Sequence, residues 1–175
     1  MAKKEKMLTA AFRDRAMAAR VYDWLQDRGY TADEINVLMS DRTRAAFGKA
    51  GEEGRIKSAS KAPEGMAAGG AIGTAVGATL GAIAAIGTTV ALPGLGLVIA
   101  GPILAGLAGG GAGAVAGGIV GGLVGLGISE SNAKAYEEVL RAGGVVFGIV
   151  PHAEDDAKLI RDYFEQHQAD NIVYA

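Results

Sequence analysis

The side chains with chemistry to offer are few and scattered. His152 stands beside Glu154, Asp155 and Asp156, and a second imidazole follows at His167. Such donors hold divalent cations only when they converge on one point. The two histidines lie about four helical turns apart with no second acidic cluster to complete a shell, and acids at a helix start suit its macrodipole. Solvated histidines and no metal are therefore expected. Cysteine is absent, which excludes a thiol nucleophile, a thiolate metal site and a disulfide scaffold. No Ser/His/Asp spacing, paired carboxylates or activated lysine stands out, so the expectation is a non-enzyme with no catalytic residues, no cofactor and no small-molecule substrate. A G-x-G-x-x-A pattern spans Gly111 to Ala116, but no strand precedes it and its surroundings are themselves glycine-rich, so it does not read as a dinucleotide fingerprint. There is no G-x-x-x-x-G-K-[ST] for phosphates.

Six basic residues, Arg42, Arg44, Lys49, Arg55, Lys57 and Lys61, lie within 20 positions. Asp41, Glu52 and Glu53 cut the net charge there to +3, and Phe47 is the one aromatic among them, which argues against a nucleic-acid interface. Arg42, Arg44, Arg55, Lys57 and Lys61 fit contact with anionic lipid better, because juxtamembrane basic residues favour the cytoplasmic leaflet.

The charge distribution shows why lipid is in question. Residues 1–64 carry net +3 and 129–175 net −5, while 65–129 hold no Asp, Glu, Lys or Arg. Glycine supplies 28 of the 175 residues, yet this charge-free run also holds 22 Ile, Leu, Val and Met, too many for a flexible linker. Leu92 to Pro102, with two prolines and three glycines, reads as a central turn around Pro93, Gly94, Gly101 and Pro102. The expectation is two flanking helices of about 26 to 28 residues, each roughly 40 Å long and able to cross a bilayer. Glycines recur every fourth residue, at Gly69, Gly73, Gly77 and Gly81 and again at Gly109, Gly113, Gly117, Gly121 and Gly125. Each costs a helix about 1 kcal/mol relative to alanine, so a stripe of them makes sense where another backbone approaches closely. Folding the arms antiparallel pairs Gly81 with Gly113 and Gly69 with Gly125, a glycine zipper. The run lacks Trp, Tyr and Phe, the usual interfacial anchors, and its alanines keep several faces small, which points to packing against further copies.

The flanks alternate strand and helix. Met7 to Phe12 reads as a strand, Asp14 as the cap of a helix ending at Gly29, and Ile35 to Met39 as a second strand. Ser129 can cap a helix to Ala142. Val145 to Val150 is a continuous apolar strand, buried on both faces or central in its sheet. Glu154 to His167 reads as a helix and Ile172 to Tyr174 as a last strand. Setting the hairpin and the helix after it aside leaves the βαββαβ order of a ferredoxin-like α+β domain, with two helices on one sheet face and a long α-helical glycine-zipper hairpin inserted between its halves. The boundaries are 1–40 for the first half, 41–64 for a basic linker, 65–129 for the hairpin, 130–143 for a connecting helix and 144–175 for the second half.

The residues from Pro93 to Gly144 also carry a resemblance. A PG turn (Pro93, Gly94), a GP step (Gly101, Pro102), the zipper end LVGLGI (Leu123 to Ile128), a Tyr-Glu pair (Tyr136, Glu137) and GG before a strand (Gly143, Gly144) occur in this order. So arranged, with Phe12 to Gly29 and Tyr30 upstream, the chain resembles the bacterial general-stress and low-temperature-induced proteins with a glycine-rich hydrophobic hairpin. The resemblance implies a stress-associated, often membrane-associated protein and brings no catalytic residues. The resulting expectation is a self-assembling homo-oligomer whose hairpin inserts in the cytoplasmic membrane, both termini cytoplasmic, or forms an oligomer core. The alternative is a cytoplasmic homo-oligomeric scaffold with hairpins buried against each other and no lipid contact.

Overall fold

The computed structural model describes residues 6–49, 81, 83, 89–92, 97–100, 112–125 and 128–174. Strand β1 (Leu8–Phe12) alternates, sending Leu8, Ala10 and Phe12 to one face and Thr9 and Ala11 to the other. Helix α1 (Arg15–Asp27) starts where the Asp14 carboxylate accepts from the Ala16 and Met17 N–H groups at 2.7 and 3.3 Å. It buries Ala18, Val21, Tyr22 and Leu25. Strand β2 (Ile35–Ser40) follows, and Ser40 caps a helical stretch over 41–49, α2, by accepting from the Thr43 N–H at 3.1 Å. Next come strands β3 (Thr89–Leu92) and β4 (Leu97–Ala100), helices α3 (Ala112–Gly125) and α4 (Glu130–Arg141), strand β5 (Val145–Ile149), helix α5 (Glu154–Gln166) and strand β6 (Asp170–Tyr174).

The fold is mixed α/β, and the six strands among the described residues form one sheet in the order β3-β4-β2-β5-β1-β6, with every neighbouring pair antiparallel. Because strand side chains alternate, the apolar residues of β1, β2, β4 and β5 divide between two faces. On the first face Leu8, Phe12, Ile35, Val37, Met39, Val98, Val145 and Phe147 meet α1 and α5, together with Phe47 and Ile83. Phe12 anchors this core with edge contacts to Phe147 (5.6 Å) and Phe164 (5.4 Å), each adding about 0.5–1.5 kcal/mol beyond its burial. On the second face Ala11, Leu38, Ile99 and Val146 are covered by Tyr136, Val139 and Leu140 of α4 and by Ile119 and Leu123 of α3.

Three expectations need correction. The helix at 130–143 is not a mere connection inside an insertion. It covers the second sheet face, because β1, β2 and β5 are apolar on both sides and neither side can stay wet. The stretch called a basic linker begins as a helix whose Phe47 and Thr43 are 1% and 2% exposed, so 41–49 belong to the packed domain.

The third correction concerns 65–129. The two expected arms flank a turn, but residues on both sides of it are strands: Leu92 pairs with Leu97 and Thr89 with Ala100, and β4 continues onto β2. The β-branched residues Thr89, Val90, Val98 and Ile99 suit a pleated strand, and Val98 and Ile99 are buried in it. Downstream, α3 is 14 residues, about 21 Å, against a hydrocarbon core of about 30 Å. It is also interrupted at Gly118, where φ 63° and ψ −151° are not helical. Among the described residues no helix is long and apolar enough to cross a membrane, and this overturns the expected transmembrane hairpin. The described ends of the arms also lie apart. Ile83 is buried on the first sheet face, and Ile119 and Leu123 are buried on the second, with the sheet between them.

Helices α1, α4 and α5 end alike. The N–H two residues past the cap bonds back to the carbonyl of the third-last helical residue: Tyr30 to Leu25, Gly144 to Val139 and Ala169 to Phe164, all at 2.9–3.0 Å. The residue between takes a positive φ, 91° at Gly29 and 90° at Gly143, but the third ending places Gln168 there at 57°. Gly144 is constrained differently: a Cβ would stand 2.5 Å from the Phe12 carbonyl oxygen and strike Val139. In urea denaturation, Gly144→Ala should therefore lose more than about 2 kcal/mol, since backbone must move. Gln168→Gly should gain up to about 1 kcal/mol by relieving a left-handed side chain.

Candidate functional site

The α1–β2 turn and the β5–α5 loop meet because Ile35 and Ile149 are directly paired across β2 and β5. This corner carries the densest polar chemistry that the described residues offer. Thr31 and Glu34 have the spacing of a capping box: Glu34 Oε2 accepts from the Thr31 N–H at 2.9 Å and from its hydroxyl at 2.8 Å. Glu34 Oε1 lies 2.9 Å from His152 Nε2. The Thr31 N–H bond, the His152 bond and the Thr31 hydroxyl lower the Glu34 carboxyl from its ordinary 4.5 to about 2. Ionised at neutral pH, that carboxylate can only accept, so whenever the imidazole is neutral its proton is on Nε2 and Nδ1 keeps its lone pair. The His152 ring stacks on Tyr30 at 4.2 Å and 18°, and the His152 N–H donates to the Tyr30 hydroxyl at 3.1 Å. Burial raises the Tyr30 phenol, with the His152 N–H bond opposing. Beside them Arg28 reaches Asp156 at 3.5 Å.

The second imidazole is held the opposite way. His167 Nδ1 lies 2.9 Å from the Tyr163 carbonyl oxygen, an acceptor, so Nδ1 carries the proton there. His167 closes a stack in which Tyr163 lies 4.0 Å from both His167 and Trp24, and the Arg28 guanidinium sits 4.8 Å over Trp24. All four layers are filled, and the stack joins α1 to α5.

On the second sheet face, the Tyr136 hydroxyl donates to the Asn171 carbonyl at 2.6 Å and lies 2.8 Å from Thr9 Oγ1. Burial pushes the phenol up to about 12, against the Thr9 bond. The bond follows an irregularity: the β1–β6 register shifts between Thr9 and Ala11, and Asn171 has a φ of 50°.

The residues singled out from sequence are dispersed. His152 and Asp156 lie in the corner and His167 in the stack, and no group of three His, Asp or Glu able to hold a metal exists among the described residues. Arg42 is exposed and Arg44 half-buried on α2, whereas Arg55, Lys57 and Lys61 lie outside the described residues. Gly69, Gly73, Gly77, Gly109, Pro93, Gly94, Gly101 and Pro102 are also outside. Gly81, Gly113, Gly117, Gly121 and Gly125 are helical, and a Cβ on Gly125 would meet no atom within 4 Å. Comparison with protein-family models, curated proteins and solved structures returns no match.

Tyr30, Glu34, Thr9 and Asn171 were missed by sequence reasoning. The Thr31-x-x-Glu34 spacing signals the local turn, but no spacing reports that His152 arrives 118 positions later.

Two outcomes follow from these geometries. A carboxyl depressed in the fold stabilises above its unfolded value and loses that contribution as pH falls through the folded one. The difference in denaturation midpoint between wild type and Glu34→Gln should thus be constant above about pH 4.5 and vanish toward pH 2. Tyr136→Phe should cost about 1–3 kcal/mol in urea denaturation by stranding Thr9 and the Asn171 carbonyl, and adding Thr9→Val should recover part of it.

Proposed function

We propose that the chain is a non-enzymatic, stress-associated protein that assembles with copies of itself, its glycine-rich helical segments burying against those of other copies in a shared protein core. The stress association rests on the resemblance carried by Pro93 to Gly144. We also infer a ferredoxin-like kernel, supported by the order β2-β5-β1-β6 within the sheet and by helices that each connect two strands with one strand between them, α1 from β1 to β2 and α5 from β5 to β6.

One observation carries the assembly reading. Ile83 and the pair Ile119 and Leu123 are buried on opposite faces of one sheet. A ladder that ends at Gly81 cannot there lie against one running through Gly121, so at these positions the two stripes are not each other's partner, and we infer that another copy supplies one. The end of α3 is consistent with this: Val124 is 42% exposed, and Gly125 is exposed with open space about it. Lipid is not needed, since another copy supplies the same close backbone approach with an apolar surface.

Gly125 is the place to test this. A Cβ there would meet no described atom within 4 Å, so Gly125→Leu starts from open space, and Val124→Glu replaces a side chain that is already exposed. Both should lower the mass measured by light scattering and sedimentation while leaving circular dichroism and thermal midpoint unchanged. Leu159→Glu, at the 47% exposed leucine of α5, should leave the mass alone. A wild type that is monomeric across the concentration range, or variants with unchanged mass, would sink the reading.

A further inference from the structure

The corner at His152 does more than join two loops. Its imidazole is fixed in three ways: Nε2 by Glu34, the ring face by Tyr30 at 4.2 Å, and the backbone N–H by the Tyr30 hydroxyl. Glu34 is itself held by two donors from Thr31. Nδ1 has no hydrogen-bond partner among the described residues, and the side chain is 47% exposed. A carboxylate that takes one imidazole N–H and thereby selects and aims the lone pair of the other nitrogen is how an imidazole is prepared to react or to ligate. His167 is the internal contrast, with the opposite tautomer and its Nδ1 engaged by the Tyr163 carbonyl.

We propose that His152 is a phosphoryl-acceptor site, taking the group on Nδ1 from an activated small-molecule phosphoryl donor, and that the added charge loosens the clamp between the α1–β2 turn and the β5–α5 loop. With a phosphoramidate donor, the Nδ1 lone pair forms the new N–P bond. The donor's nitrogen is already protonated as –NH3+, so when the P–N bond breaks its electron pair leaves with that nitrogen and ammonia departs with no further proton needed. The Nε2 proton stays in its bond to the Glu34 carboxylate, which offsets the positive charge gained by the ring. No oxidant or metal enters the balance.

The surroundings give the modification its effect. His152 is followed by Glu154, Asp155 and Asp156 and faces Glu34, with Arg28, already engaged by Asp156, as the nearby cation. A phosphoryl group placed among carboxylates acts by like-charge repulsion. It therefore favours separation of the two loops rather than their closure. The Tyr30 ring, 2% exposed, would be the group uncovered.

The test uses the full chain and phosphoramidate as the probe, with each adduct located by peptide mass mapping under alkaline conditions that preserve phosphohistidine. In the native protein His152 should gain a phosphoryl group roughly tenfold faster than His167, and Glu34→Gln should slow His152 by a similar factor while His167 is unaffected. In urea the two histidines of the wild type should react alike, a comparison that needs no variant to fold. His152→Asn should abolish the fast adduct. Amide exchange at residues 31–35 should speed up on modification. Equal rates for the two histidines in the native chain, or an unchanged His152 rate in folded Glu34→Gln, would overturn the acceptor assignment. Unchanged exchange in the fully modified protein would overturn the loosening.

Discussion

The sheet must be covered twice, and most of the architecture follows from that. Strands β1, β2 and β5 present apolar side chains in both directions: Phe12, Val37 and Phe147 one way, Ala11, Leu38 and Val146 the other. A sheet so patterned is unstable with one face in water, since each exposed large apolar side chain forfeits about 1.5–3 kcal/mol. Helices α1 and α5 come from the two βαβ halves and reach only the first face. The second layer has to come from the long segment between β2 and β5, and α3 and α4 supply it. An intervening segment that at first sight interrupts the domain is in this sense part of its core.

Covering both faces imposes tight junctions where chain passes from one layer to the sheet. Helix α4 must end and β5 must begin within three residues, and the approach to β1 is so close that Gly144 has room for no side chain. Tyr136, three residues before Val139 on the same helix, reaches through to Thr9 and to the irregular edge strand β6. The Asn171 carbonyl, beside the bulge and at a positive φ, takes the Tyr136 hydroxyl as its donor. The same bond that satisfies it also ties the outermost strand to the layer beneath, so edge and second layer are held as one unit.

Local periodicity made part of this legible. Alternation located β1 and the apolar run located β5; Asp14 and Gly29 bracketed α1, and the 3.6-residue spacing of Ala157, Ile160 and Phe164 marked α5. What stayed hidden depends on what lies above and below a segment. An apolar, glycine-rich, charge-free run satisfies a bilayer and a protein interior alike, because neither tolerates unpaired charge. Pro93, Gly94 and Gly96 stand between the paired Leu92 and Leu97, but a turn signal does not say whether helices or strands flank it, and the expected turn ran on to Pro102 across what is strand β4. Thr89, Val90, Val98 and Ile99 were the available signal, outweighed by the surrounding four-residue glycine period. The polar corner was less legible still. Glu34 and His152 meet only because Ile35 and Ile149 share a register, and a register is a property of the sheet.

The glycines themselves sharpen the question of what α3 is for. Among the glycines of α3, Gly118 is demanded by backbone geometry, its φ of 63° and ψ of −151° being open to glycine almost alone. It is not on the ladder. The ladder residues Gly113, Gly117, Gly121 and Gly125 lie on helix, where each costs about 1 kcal/mol relative to alanine. At Gly125 the chain offers no neighbour that an alanine methyl would disturb. Nothing the described residues place around Gly125 offsets that cost. A close approach by another backbone would offset it, since the absent Cβ is what permits such an approach, and this is the ground on which the proposed assembly rests.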